Sequence, residues 1–282
     1  MSKMAQLVVL LLSLASVHGL FLRSSPATKQ QQISRRDALV GSALLPALVG
    51  SVLAAPSEAA DDAEVPIYFG VGCFWHVQHE FVDAERSLLG RGDDQLTALA
   101  GYAGGKQTGK DTNRPGNKEG LVCYHNLQGV ADYGKLGYGE VVGVRVPSSK
   151  VGDFAEVYFK LFDKNGDRPD KGDRGPEYRS LLGLPGGKDS PLYAQVAEAL
   201  KRSPLAETLS LAAGGGDDGD TLGKRLVWVM DTKEFPFRQG EVYHQFHDGF
   251  FPGEDYPREY NSLQQRSVAG GRLKGTGCPD VV

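Results

Sequence analysis

The chain has 282 residues, of which 40% are apolar and 23% are charged, with 31 Lys and Arg against 35 Asp and Glu. This length allows one large or two small domains, and the composition excludes a disordered, collagen-like or coiled-coil protein. The net charge of -4 argues against a nucleic-acid partner. Glycine, with 37 residues, is about twice as frequent as usual, and the three cysteines leave one over from any pair.

The N-terminal 60 residues are predicted to be a targeting leader. An apolar run at 7–14, after a basic start and before small residues, is typical of a secretory signal peptide. Residues 20–34 contain no acid and have transit-peptide composition. The pair Arg35-Arg36 before a mildly apolar stretch resembles a twin-arginine export signal. The alternatives are a chance pair of arginines and a membrane anchor over 38–55.

Signals in this series resemble the address of a thylakoid-lumen protein in an alga with a complex plastid. We therefore expect a mature domain of residues 61–282. The leader holds five basic and two acidic residues, so the mature domain is more acidic than the whole chain.

Downstream of the leader, apolar spacing alternates between strand and helix periods without an internal repeat. The predicted elements are a strand at 65–71, a helix at 74–89, a Gly-rich polar loop at 101–137, a strand at 140–146, a helix at 151–162, a polar loop at 163–177, a strand at 178–184, a helix at 191–200, a loop at 212–220, a strand at 225–230 and an irregular C-terminal tail from 235. This order predicts an α+β fold, a split βαβ (ferredoxin-like) sandwich with long irregular loops.

Cys73 is the first candidate for chemistry. It follows Gly72 where the predicted strand gives way to the predicted helix. The free N–H groups and the dipole of a helix start favour a thiolate, which is the nucleophilic form of cysteine. The alternative is a packed structural thiol, a common fate of cysteine.

Three further side chains are candidates for acid and hydrogen-bonding roles. Glu140 opens a predicted strand, where burial would make it a general acid. Otherwise it is an exposed carboxylate at a strand end. Asp173 and Tyr178 lie in a segment that, from composition alone, is a turn.

Five short segments follow one another in one order along the chain. They are Gly72-Cys73-Phe74-Trp75, Gly101-Tyr102-Ala103-Gly104-Gly105, Gly139-Glu140-Val141-Val142, the segment 172–180 from Gly172-Asp173 to Tyr178-Arg179-Ser180, and Tyr243-His244-Gln245. Together they resemble the motifs of the peptide methionine sulfoxide reductase type A family, over roughly residues 66–250.

This resemblance implies a thiol mechanism. Cys73 would attack the sulfoxide sulfur, and Glu140 would protonate the sulfoxide oxygen. Asp173 and Tyr178 would help to hold that oxygen by hydrogen bonds, directly or through water. Cys73 would be left as a sulfenic acid, which a second thiol converts to a disulfide.

The resemblance also implies the pocket and the partners. Phe74 and Trp75 would wall an apolar pocket for the S-methyl group. The substrates would be oxidised proteins or peptides that contain methionine sulfoxide, and a thioredoxin-like reductant would recycle the enzyme. We expect a monomer, no metal and no organic cofactor.

Cys278, in a Gly-rich C-terminal tail, is the expected resolving cysteine, because a mobile tail could reach Cys73. Cys123, in the long loop, is the alternative resolving thiol or a packed spare. Direct reduction of Cys73 by a small thiol is the third possibility.

Four positions depart from the family pattern, namely His76, Gln78, Glu119 and Phe162. Because Glu119 stands where the family carries a tyrosine, Tyr124 or Tyr138 would supply a second phenol, or neither would.

These departures keep two other functions open. One is a non-catalytic module that binds methionine sulfoxide or senses redox state. The other is a metal-binding protein that uses Cys73, His76 and a further cysteine, although two ligands alone do not make a zinc site.

Overall fold

The computed structural model describes residues 62–112, 118–248 and 258–279. The predicted leader lies outside the described residues, and its signals and the plastid address stay predictions. No helix within the described ranges is long and apolar enough to cross a membrane.

The described chain contains the following strands and helices, in chain order. They are β1 (Glu64–Gly70), α1 (Phe74–Leu89), β2 (Leu99–Ala103), β3 (Gly109–Asp111), β4 (Lys118–Leu121), β5 (Gly139–Pro147), α2 (Val151–Lys160), β6 (Leu181–Leu184), α3 (Tyr193–Arg202), β7 (Ser210–Ala213), β8 (Leu226–Asp231), β9 (Arg238–Gln239) and α4 (Arg258–Ala269).

A seven-stranded mixed sheet forms the centre of the fold, in the order β7-β8-β6-β1-β5-β2-β9. The four strands β6-β1-β5-β2 pair antiparallel throughout, whereas β6, β8 and β7 pair parallel. Helix α1 connects β1 to β2, and α2 connects β5 to β6. The expected α+β class is confirmed.

The alternation of side chains along β1 separates two cores. Phe69 stacks on Phe81 of α1 at a ring-centroid distance of 4.6 Å and contacts Tyr158 of α2 at 5.2 Å. Tyr68 points to the other face, where its hydroxyl donates to the carbonyl of Phe235 at 2.9 Å. Burial of a ring such as that of Phe81 contributes about 2–3 kcal/mol. Helices α1 and α2 thus cover one face of the sheet. Their packing on Phe69 holds α1 against β1.

Helix α1 begins and ends where the sequence predicts. Its C-terminus is set by Gly90 at φ 65°, whose N–H donates to the carbonyl of Arg86 at 3.1 Å. A left-handed residue at this point suits glycine, which has no Cβ to clash.

Several predicted loops contain regular structure, and these predictions are wrong in part. The segment 101–137 holds most of β2 together with β3 and β4, which pair with each other as a two-stranded sheet. Their residues are largely glycine and charged, so no apolar alternation marks them. The segment 212–220 begins with the end of β7, a half-exposed edge strand. Strand β6 begins at Leu181 and not at Tyr178, because Pro176 starts a short 3-10 helix over 176–178.

The C-terminal tail is also more regular than predicted, because it contains α4. This helix places Tyr260, Leu263 and Ser267 toward the core, at helical spacing. Two buried apolar residues among many polar ones give too weak a period to indicate a helix from sequence.

Candidate active site

Cys73 occupies the N-cap position of α1, immediately after a glycine turn. Gly72 has φ 75°, and a Cβ at this position would lie 3.1 Å from Oδ2 of Asp173. Only glycine therefore permits both the turn and the approach of the acid. Cys73 is half-buried, and of the chain's three cysteines it alone is a free thiol.

The environment of Cys73 holds its thiol in the protonated form. Burial is the largest effect and raises the pKa of Cys73 well above its usual value, with the charges of Glu140 and Asp173 adding to it. The N–H groups of Trp75 and His76 lower the pKa, as the helix start predicts, but they are outweighed. The expectation of a thiolate at this helix start is therefore wrong for the substrate-free site.

Glu140 lies beneath the start of α1. It is 1% exposed, which excludes the alternative of an exposed carboxylate at a strand end. Its Oε2 accepts a hydrogen bond from the N–H of Phe74 at 2.9 Å, and its Oε1 accepts one from the hydroxyl of Tyr133 at 3.1 Å. Burial raises the pKa of Glu140 to about 8 against these two bonds, which lower it. The acid therefore holds its proton at neutral pH.

Asp173 reaches the same turn from the loop after α2. Its Oδ2 accepts a hydrogen bond from the N–H of Cys73 at 3.1 Å. Burial raises the pKa of Asp173. The buried guanidinium of Arg168 donates to the carbonyl of Asp173 at 3.1 Å and pairs with Asp220. These two interactions hold the loop in place. The composition of this segment had indicated only a turn.

Two phenols, those of Tyr124 and Tyr178, interact electrostatically with Cys73 and Glu140. Burial, together with the charge of Glu140, raises the pKa of Tyr124 to about 12. A hydrogen bond from Tyr178 acts in the opposite direction. Burial also raises the pKa of Tyr178. Both phenols therefore remain hydrogen-bond donors. Tyr138, the other candidate, interacts instead with Arg238.

Aromatic side chains surround the first turn of α1. Phe74 is fully buried against Tyr102 and His244, at centroid distances of 6.0 and 4.8 Å. Trp75 is half-buried, its Nε1 donates to Nδ1 of His244 at 3.1 Å, and its ring stacks on His247 at 3.8 Å. Burial lowers the pKa of His244 to about 3, so this ring is neutral and can accept the indole proton.

Sequence reasoning missed Tyr133 and Arg168, which support Glu140 and Asp173. Tyr133 lies in a Gly-rich stretch with no periodic pattern, and Arg168 lies in a polar loop. A buried side chain in such a loop leaves no signal in a single sequence.

The cysteines pair differently from the expectation that Cys278 pairs with Cys73. Cys278 forms a disulfide with Cys123, at a Cα–Cα distance of 5.6 Å. Hydrogen bonds between Gln239 and Lys274 hold the tail along β9, which brings Cys278 beside the end of β4. Cys123 is therefore not the spare thiol that its loop position suggested.

No family model matches the chain, and no curated protein matches it. Among solved structures, the chain is similar to methionine sulfoxide reductase A of Corynebacterium diphtheriae, with 18% identity and a TM-score of 0.39, over 64% of this chain and 72% of that one. It is also similar to Mxr1 from Saccharomyces cerevisiae in reduced form, with 19% identity and a TM-score of 0.40, over 67% and 86% of the two chains. For Mxr1 in its unusual oxidized form the identity is 17% and the TM-score 0.35, over 66% and 81%.

Proposed function

We propose that this protein is a peptide-methionine (S)-S-oxide reductase, which reduces methionine S-sulfoxide, free or in proteins, to methionine. The observation that carries the proposal is the placement of one free thiol, Cys73, at the helix start where the buried acid Glu140 accepts a hydrogen bond from the N–H of Phe74. Burial raises the pKa of Glu140 to about 8, so this acid keeps its proton at neutral pH. Reduction of a sulfoxide by a thiol needs these two groups, because the oxygen leaves the substrate only after it has been protonated.

The reaction proceeds by attack of the Cys73 sulfur on the sulfoxide sulfur. Glu140 donates a proton to the sulfoxide oxygen, Tyr178 donates a hydrogen bond to it, and Asp173 holds it through a bridging water. The S–O bond of the substrate breaks, methionine leaves, and Cys73 takes the oxygen as S–OH. Glu140 recovers a proton from the original thiol, so its ionisation is unchanged over the cycle.

Trp75 supplies the apolar wall. Its hydrogen bond to His244 and its stacking on His247 hold the indole ring in place. Phe74 is fully buried and supports this wall from behind. A methyl group against the indole gains the free energy of leaving water, whereas the polar oxygen stays with the acid and the phenols. This division of the site orients the sulfoxide and favours one epimer.

Recycling uses a disulfide. The sulfenic acid of Cys73 condenses with the thiol of Cys278 and releases water. The thiol of Cys123 then attacks this disulfide, which frees Cys73 and leaves the Cys123–Cys278 disulfide. A thioredoxin-like dithiol reduces this bond. The cycle calls for no metal and no organic cofactor.

The exchange predicts which disulfide accumulates. After one equivalent of sulfoxide, wild-type protein should carry Cys123–Cys278 and a free Cys73, whereas Cys123→Ser should carry Cys73–Cys278. Cys278→Ser should release one equivalent of methionine and then fail to recycle with thioredoxin. Peptide mapping by mass spectrometry and a turnover assay measure both, and full recycling by Cys278→Ser would contradict the scheme.

Tyr124 is proposed as the second phenol at the oxygen. Tyr124→Phe should lower kcat/KM about tenfold, since it removes one hydrogen bond to a developing charge. Tyr138→Phe is the matched control and should leave kcat/KM unchanged. Equal losses in the two variants would remove Tyr124 from the site.

We further propose that residues 61–282 form a monomeric catalytic domain that is delivered by the leader to a thylakoid lumen. Strands β6-β1-β5-β2 with α1 and α2 would be its split βαβ unit, extended by β8 and β7 on one side and by β9 on the other.

The proposal is tested by incubating the purified protein with the S or the R epimer of a dabsylated methionine sulfoxide and dithiothreitol. We expect many turnovers with S and none with R. Methionine formation limited to one equivalent would instead indicate a sensing module, and equal turnover of both epimers would contradict the proposed specificity.

A further inference from the structure

A second cluster of sulfur and carboxylate ligands lies at the disulfide. Within the part of the chain that the structure describes, one group of side chains could share a metal ion, and it consists of Cys123, Glu241 and Cys278. Their ligand atoms lie within 4.8 Å of one another, and all three residues are buried. Cys73 and His76, the pair suggested from sequence, do not belong to it.

The carboxylate of this cluster is fixed in position before any ligand arrives. Oε1 of Glu241 accepts a hydrogen bond from the N–H of Tyr124 at 2.9 Å, and Oε2 accepts one from the hydroxyl of Tyr102 at 2.6 Å. Metal-binding carboxylates are commonly held by such bonds, which leave further lone pairs free for the ion. Because Tyr124 follows Cys123 directly, the first of these bonds holds the carboxylate next to the backbone at Cys123.

Charge makes the cluster sensitive to redox state. With the disulfide formed, the site holds one carboxylate and two neutral sulfurs. After reduction, two thiols stand beside that carboxylate in a buried place, where ionised groups without a partner are costly. Because Zn²⁺ would replace two protons, the site with the ion would carry the same net charge as the site with two thiols and one carboxylate, and no buried charge would be added.

We propose that reduction of the Cys123–Cys278 disulfide creates a zinc site in which the two thiolates and Glu241 are protein ligands and water is the fourth. A dithiol supplies two electrons and two protons to the disulfide and is itself oxidised to a disulfide. Zn²⁺ then displaces the two thiol protons, which leave to solvent. Two soft sulfurs with one oxygen in a tetrahedral set suit zinc better than magnesium or calcium.

The geometry needs only a small movement of the tail. Zn–S bonds of about 2.3 Å place two tetrahedral sulfurs about 3.8 Å apart, so the Cys123 and Cys278 sulfurs must separate. Cys278 follows Gly277, at φ 86°, in a tail whose glycines adapt readily. A cavity of about 520 Å³ is lined by Glu241 and Cys278 together with Tyr243 and Gln264, and it gives the ion a path and the water a place.

The site has one consequence for recycling, which rests on the proposed function. Zinc would hold Cys278 as a thiolate ligand and withdraw it from the condensation with Cys73. Zinc should therefore leave the first turnover intact and slow recycling. The binding of zinc itself does not depend on sulfoxide reductase activity.

The test uses the full chain, reduced with a phosphine that is then removed without air, and titrated with Zn²⁺ against a chromophoric chelator. We expect one tightly bound zinc per reduced chain and none per oxidised chain. Cys123→Ser and Cys278→Ser should each weaken binding at least 100-fold, and Glu241→Gln should weaken it about 10- to 100-fold. Cys73→Ser is the matched control and should bind zinc like the wild type.

Cobalt gives a readout that does not depend on affinity or on the folding of one variant. Co²⁺ in the reduced wild type should show thiolate-to-cobalt charge-transfer absorption, and each single serine variant at positions 123 and 278 should show about half of it. No zinc binding by the reduced chain, or binding that is lost in Cys73→Ser and kept in Cys278→Ser, would overturn the proposal. A chain that binds zinc but does not reduce sulfoxides would contradict the proposed function alone.

Discussion

Replacing Cys73 with serine is expected to abolish the reduction of methionine sulfoxide completely, including the first turnover. A serine hydroxyl is a far weaker nucleophile than sulfur, and it cannot take up the sulfoxide oxygen as a sulfenic acid. The measurement is the amount of methionine released per mole of protein with no reductant present. Wild-type protein reduced beforehand should release about two equivalents, because the exchange with Cys278 and Cys123 frees Cys73 once without external reductant, and the variant should release none.

The chain supplies its own control for this experiment. Cys123→Ser carries the same change of sulfur to oxygen but leaves Cys73 free, so it should keep the first equivalent. One equivalent of methionine from Cys73→Ser would assign the chemistry to another thiol and remove the basis of the proposed function.

Replacing Glu140 with glutamine should lower kcat/KM by about 100- to 10,000-fold, the usual contribution of a general acid. Glutamine fills the same space and its carbonyl oxygen can still accept the bond from the N–H of Phe74, but its amide is far too weak an acid to transfer a proton. Glu156→Gln, which removes an exposed partner of Arg202, is the matched control and should leave the rate unchanged. A rate within a few-fold of wild type in Glu140→Gln would exclude Glu140 as the acid.

The dependence on pH gives a second readout for the same residue. Because the pKa of Glu140 is raised to about 8, the acid is protonated below this pH, and kcat/KM should fall above it. In Glu140→Gln, kcat/KM should not show this decrease with pH. Stability follows the same sign: between the unfolded pKa of 4.5 and about 8, the folded state alone holds the proton. The free energy of unfolding of the wild type should therefore decline with pH across this window relative to that of Glu140→Gln.

The central part of the fold could be predicted from sequence because its signals are local. Helices α1 and α2 and strand β5 show apolar periods of 3.6 or of two, and strand β1 is a short run rich in β-branched and aromatic residues. All four form close to the positions that these patterns indicate. Strands β3 and β4 and helix α4 could not be predicted, since their residues are largely polar and show no clear apolar period. Pairing and packing contacts stabilise these elements, and such contacts leave no periodic pattern in the sequence.

The candidate site could likewise be predicted only in part. Cys73, Glu140, Asp173 and Tyr178 were expected from motifs, and the structure brings them to one turn. The protonation of the thiol could not be predicted, because burial and the two acids together outweigh the helix start. The Cys123–Cys278 disulfide could not be predicted either, since it depends on the tail running along β9.

The N–H groups of Cys73 and Phe74, at the start of α1, have no acceptor within the helix. Cys73 makes no side-chain cap of its own, and the N–H groups of Cys73 and Phe74 instead donate to Asp173 and Glu140, which are 100 and 66 residues away. The acids of the candidate site thus serve as the caps of the helix, at a distance at which capping residues rarely lie. The helix end and the reaction centre must therefore assemble in the same cooperative step. Damage to the capping acids should appear as fraying of α1, which would carry the nucleophile away with it.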